Sequence, residues 1–206
     1  MSGIIAKDKG GSFELCPPGN HLARCYSMVE IGTVFDETFN VSRHLVRISW
    51  ELPNEQKVFD QNKGPQPFSI HKEYTLSMNE KANLRHDLES WRGKGFTEEE
   101  GKAFDITKLL GVACMLNVIH KQNKKGNQIA VIGSISPIPK GMECPPQVNA
   151  SFMLSYADWD SSKFNSLPDW LKKRMEETAQ FHTVLTAGND VPIDDKSTQQ
   201  EDDLPF

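Results

Sequence analysis

The stretch SRHLVRISWELP, Ser42 to Pro53, decides the fold. Val46, Ile48, Trp50 and Leu52 alternate with Arg47, Ser49 and Glu51, the period-two pattern of a strand with one face in a core. Pro53 and Asn54 read as its end. Upstream, CPPGNHLARCYSMVEIGTVF reads as a turn feeding a strand from His21 to about Ile31, stopped at Gly32. With Cys25, Val29 and Ile31 pointing inward, Arg24 and Tyr26 share its outer face. Downstream, a polar loop from Glu55 to Pro67 leads to FSIHKEYTLSM, which puts Phe68, Ile70, Lys72, Tyr74, Leu76 and Met78 on one side.

The period then changes. In NEKANLRHDLESWRG, Leu84, Leu88 and Trp91 recur at helical spacing, with Asn79 as cap and Gly93 as stop. Thr97 and Glu100 stand at capping-box spacing and open a second, short helix before Gly111. VACMLNVIHKQNKKGNQIAVIGSISPI holds two β-rich runs around a polar tip, a hairpin with Lys121, Lys124, Lys125 and Gly126 at its turn. Three strands, a helical insert and a hairpin give a mainly β chain with helical insertions. That is the order of the OB-fold, a five-stranded Greek-key barrel that commonly binds oligonucleotides. An unrelated α+β sandwich with the same strand order is the alternative.

On this reading, residues 1–11 are a flexible N-terminus and 12–140 the OB-fold domain. Residues 141–182 form a Pro-rich extension with one docking helix, SLPDWLKKRMEETAQF, capped by Ser166 with Pro168 in its first turn. Trp170, Leu171 and Met175 make one apolar stripe, read as packing on the domain. Residues 183–206 are read as a disordered acidic tail.

The formal charge is −5. It resides in the tail, where Asp190, Asp194, Asp195, Glu201, Asp202 and Asp203 face Lys196 alone, so the rest of the chain is neutral and a polyanion is permitted. Cys16, Cys25, Cys114 and Cys144 lie far apart without close histidine neighbours, which argues against zinc and for reduced thiols. MSGIIAKDKGG lacks an apolar signal core and VACMLNVI is too short to span a bilayer, so no membrane role and a cytoplasmic location are expected.

An OB barrel that holds single strands needs cations beside the backbone track and rings on which bases stack. Arg24, Tyr26 and Arg47 on the outer strand faces, and Lys121, Lys124 and Lys125 at the hairpin tip, supply both. The competing account leaves each of them as a solvated surface residue, with Tyr26 closing a barrel end. Glu55 and Lys57, with Asp36 upstream, have the spacing of a metal nuclease, but they follow Pro53 into a polar loop where that motif does not belong. His21, His44, His71, His86, His120 and His182 show no metal-ligand spacing. No catalytic residue, cofactor or metal site is expected.

The terminal EDDLPF (Glu201–Phe206) resembles the acidic tip of bacterial single-stranded DNA-binding proteins. GNHLARCYSMVEIGT, YTLSMNEKANLRHDLESWRGKGF, KLLGVACMLNVIHK and ISPIPKGM are similar to bacteriophage single-stranded DNA-binding proteins of replication and recombination regions, over most of Gly19 to Met142. Leu204 stands where isoleucine is common in the bacterial tip, and the acidic run is short. The resemblance implies sequence-independent binding of single-stranded DNA in the cytoplasm of a phage-infected host. It also implies that Asp202, Asp203, Leu204, Pro205 and Phe206 recruit host or phage replication, recombination or repair proteins. An OB-like adaptor that binds protein instead is the alternative. The oligomeric state is left open, a homo-oligomer included.

Overall fold

Val46, Ile48, Trp50 and Leu52 are all buried, so the opening stretch lands where its alternation puts it. The computed structural model describes residues 14–187. In chain order these form β1 (Gly19–Asp36), β2 (Val41–Lys57), β3 (Gln66–Thr75), α1 (Asn83–Arg92), α2 (Glu98–Lys102), a 3-10 turn (Ile106–Leu109), β4 (Ala113–Gln122) and β5 (Gln128–Ser136), then β6 (Phe152–Leu154), α3 (Ser161–Ser166), α4 (Asp169–Glu176) and α5 (Ala179–Ala187). Five strands hydrogen-bond in the order β3-β2-β1-β4-β5, antiparallel throughout, and β6 pairs with β1 in parallel. The chain is thus mainly β, an antiparallel sheet with a few helices. Among the described residues no helix is long and apolar enough to cross a membrane.

The centre of the sheet is β1. Its register against β2 slips between Cys25 and Ser27 and again between Glu30 and Gly32, so Tyr26 and Ile31 are extra residues that turn the strand. This corrects the expectation that Cys25, Val29 and Ile31 share one inward face. Cys25 and Met28 enter a first core with β2, β3, β4 and α1, while Val29 and Ile31 enter a second with Leu154, Phe164, Leu171, Met175 and Phe181. In the first core Trp91 of α1 packs on Trp50 with ring centroids 5.8 Å apart, and its indole N–H donates to the Ala113 carbonyl at 3.0 Å.

Several boundaries move for local reasons. β1 runs past Gly32, which sits at φ +101° inside the strand. Pro53 interrupts the pairing of β2 with β3 without ending β2, because the ladder resumes at Gln56 opposite Pro67. β3 stops at Thr75, leaving Leu76 and Met78 outside it. Asn79 caps a preceding turn by accepting from the Lys81 N–H at 3.0 Å, and α1 starts later, with Ala82 at its N-cap position. Gly93 ends α1 in the left-handed region, and the Thr97–Glu100 capping box is present. The expected docking helix Ser166–Phe181 is two, α4 and α5, separated at Glu177 and Thr178; Ser166 ends a further helix, α3, rather than capping α4, whose N-cap position is Pro168, and α5 extends to Ala187, past the expected start of the tail at Thr183. The terminal residues Asp202, Asp203, Leu204, Pro205 and Phe206 lie outside the described residues.

At Gly32 the helical extension lies close against the strand. A Cβ there would lie 2.8 Å from Thr178 Oγ1 and 3.0 Å from Thr178 Cβ and Cγ2. Thr178 is buried and its hydroxyl donates to the Met175 carbonyl at 2.7 Å, so it has little freedom to yield. Gly32→Ala therefore combines an unfavourable φ with overpacking and is expected to cost about 2 to 4 kcal/mol. Thermal unfolding checks this, and an unchanged melting temperature would show that the strand and the α4–α5 junction are not in contact.

Candidate nucleic-acid interface

The lysine hairpin is built by Asn123. Its backbone N–H donates to the Asn127 carbonyl at 2.9 Å, while its side-chain oxygen accepts from the backbone N–H groups of Lys125 and Asn127 at 2.9 and 3.0 Å. Gly126 at φ +79° lets the chain reverse. Lys121, Lys124 and Lys125 are all exposed on this turn, so three positive charges project from a rigid two-stranded arm.

Arg24 has a different place from the one its strand phase suggests. Its guanidinium donates to the carbonyls of Pro145 at 2.6 Å, Gly111 at 2.9 Å and Cys144 at 2.9 Å. Opposite it on β2, Glu51 is fully buried and accepts from the Val148 N–H at 2.6 Å, the Asn149 N–H at 2.7 Å and the Asn149 side-chain amide at 2.6 Å. A guanidinium and a carboxylate thus satisfy the backbone of residues 144–149, an irregular strap with no ladder partner of its own. Arg24 is a tie between strand and strap rather than an open cation.

Further along the same face, Arg47 is covered but not spent. Its Nη1 donates to Glu73 Oε1 at 3.1 Å, and Arg174 of α4 donates to both oxygens of Glu73 at 2.9 and 2.7 Å. The guanidinium of Arg47 lies under the indole of Trp170, 4.8 Å from its centroid, in cation–π contact. Trp170 itself is 51% exposed. Two arginines around one glutamate leave a net positive charge beside an exposed ring.

Between the strap and α4, the face carries Tyr26, Ser69 and His71. The Tyr26 hydroxyl meets Ser69 Oγ at 2.8 Å, and His71 pairs across from Ser49, one step along the face from the Arg47–Glu73 pair. Ser69 and His71 also line a groove of about 710 Å³ to which Ile129, Ala130 and Val131 of β5 and the segment Glu14–Cys16 contribute. β5 belongs to the arm whose tip holds the lysines. Tyr26 and Arg47 are therefore brought together on one face, Lys121, Lys124 and Lys125 stand at the tip of the β4–β5 arm, and Arg24, on the same face, is tied under the strap.

Trp170, Arg174, Glu73 and His71 are the members that sequence reading left out. Only Trp170 had a legible signal: Leu171 and Met175 form an i, i+4 pair, and Trp170 stands about 100° off that stripe. Asp36 and Glu55 are set toward opposite ends of β1. Asp36 pairs with Arg43 at 3.7 Å and Glu55 with His21 at 3.2 Å, while Lys57 pairs with Glu14. Among the described residues no group of three His, Cys, Asp or Glu could hold a metal ion. All four cysteines are free, and burial pushes Cys25 up to about 12 and Cys16 up to about 11. No protein-family model matches the sequence, and no curated protein matches it.

The strap depends on Glu51. Glu51→Ala removes the acceptor of two backbone N–H groups and one amide in a buried setting and is expected to cost on the order of 3 kcal/mol. Hydrogen exchange at Val148 and Asn149 should accelerate, and unaltered protection there would mean that another contact anchors the strap.

Proposed function

We propose that this chain binds and protects single-stranded DNA, largely independently of sequence, in phage replication or recombination, and that its acidic tip recruits replication or repair proteins. The observation that carries this reading is the joining, on one sheet face, of Tyr26 and Trp170 with Arg47 and Arg174. Rings beside cations are what a sequence-tolerant single-strand site needs. The lysine arm across the groove adds charge that can follow a phosphate backbone.

The OB-type barrel is part of the same proposal. It is supported by the strand order, by α1 inserted between β3 and β4 and packed on Trp50, and by the way β3 and β5 face each other across the groove. The resemblance of the sequence to phage single-stranded DNA-binding proteins supports it independently, and implies the cytoplasm of an infected bacterium as its location. An adaptor that binds protein on this face is the second reading, favoured by the strap's cover over Arg24 and Glu51.

Titration of a labelled dT oligomer at increasing salt tests the choice. Affinity should fall steadily with salt, and duplex DNA should bind more weakly. Changing Lys121, Lys124 and Lys125 together to alanine should reduce the slope of log affinity against log salt by roughly 2, near 0.7 for each phosphate no longer neutralised. No binding at micromolar protein and low salt would give the adaptor reading the lead, and an unchanged slope would put the arm off the DNA track.

Phe206→Ala keeps every charge and removes only an apolar ring. It should leave dT affinity unchanged while weakening capture of replication proteins by some tens of fold, since burying such a ring contributes about 2 to 3 kcal/mol. Equal recovery of those proteins by both forms from host lysate would remove the tip from the proposal.

A further inference from the structure

We infer that Trp170, carried by helix α4 outside the five-strand sheet, is a base-stacking residue of the single-strand site. The inference rests on the single-strand reading and adds a residue to it from the C-terminal extension. Four tryptophans occur in the chain and three have their rings occupied. Trp50 and Trp91 are buried against each other at 1% and 5% exposure. Trp159 stacks on Tyr156 with centroids 5.4 Å apart and planes 8° from parallel, and it also meets Phe164 and Phe181. Of the four tryptophans Trp170 alone is exposed.

Its position is fixed from below. Arg47 supports one face of the indole at 4.8 Å, and Arg47 is held in turn by Glu73, which Arg174 from the same helix grips with both carboxylate oxygens. Leu171 and Met175 anchor α4 in the second core. The ring is thus pre-oriented, with a cation against it and about half of the residue exposed. An unpacked indole forfeits burial that a large ring could supply, whereas a ring held this way can take a base at small ordering cost. The cation beneath and Arg174 beside it suit a phosphate next to that base. A protein segment would use the ring too, but it would not call for two arginines flanking one ring and a lysine arm across the groove.

The indole gives its own readout. In the intact chain, dT oligomer should quench intrinsic tryptophan fluorescence through Trp170, because Trp50 and Trp91 are buried and Trp159 is half-buried in an aromatic cluster. Trp170→Phe should abolish most of the quench yet keep affinity within about threefold, and Trp170→Ala should weaken binding by about tenfold without changing the salt slope, since no charge is removed. Thermal melting of both variants accompanies the titrations, and if Trp170→Ala loses its fold, the quench in Trp170→Phe decides. Undiminished affinity in a folded Trp170→Ala, or full quenching in Trp170→Phe, overturns the inference while leaving the single-strand reading intact. Failure of the unaltered chain to bind dT at all overturns both.

Discussion

Everything in this structure hangs on β1 being hydrogen-bonded along both edges. One edge pairs with β2 from Arg24 to Asp36, and the other is shared by β4 over Gly19–Arg24 and β6 over Ser27–Val29. A strand with strict alternation could serve one core and present one outer face. The two register slips change that, because each extra residue exchanges the faces beyond it. Met28 stays with the first core, and Val29 and Ile31 then feed the second. Val29 and Ile31 join Leu45 of β2 and Phe152 and Leu154 of β6 in the apolar surface that α3 to α5 cover.

The polar ties follow from the same geometry. An irregular segment laid over a sheet brings backbone groups away from water with no ladder to join, and each needs a partner. Arg24 answers three carbonyls and Glu51 three N–H groups, a division of labour set by what each side chain can donate or accept. Farther along, the ties run between side chains, with Glu73 between two arginines. The face is therefore divided. Under the strap its charges are consumed by backbone, and beside α4 they leave a positive surplus and an exposed ring. The proposed interface is accordingly narrower than the whole outer face, and takes in Trp170 and Arg174 from the extension.

What was legible in the sequence is what local rules determine. The alternation of Val46, Ile48, Trp50 and Leu52, the helical recurrence of Leu84, Leu88 and Trp91, the Thr97–Glu100 box and the hairpin turn at Gly126 all depend on residues within one or two turns of chain. The hairpin that carries the lysines was legible for the same reason. The slips at Tyr26 and Ile31 were not, because a bulge is chosen by the partner strand and by what lies beyond it. β6 was hidden as well: three residues of FML carry no periodicity, and they become a strand only because β4 leaves an edge of β1 free. Arg24 looked like a surface cation since its partners are more than 80 residues away in sequence. Trp170 was grouped with Leu171 and Met175 although the helix turns it away from them, and only the position of Arg47 reveals what its inner face rests on.

Net charge is a poor guide to such a face. Counter-ions screen charges beyond about 8 to 10 Å at physiological salt, so acids gathered between Thr183 and Phe206 weigh on a phosphate at the lysine arm only when the tail comes near. The arm and the Arg47–Glu73–Arg174 group act over their own neighbourhoods, one almost free of acids and the other with two positive charges to one negative. Stacking on Tyr26 or Trp170 is insensitive to salt in a way the lysines are not. A formal charge of −5 therefore does not by itself argue against the proposed polyanion: on that reading the rings would supply a part of the affinity that salt leaves standing, and the cations a part that salt removes.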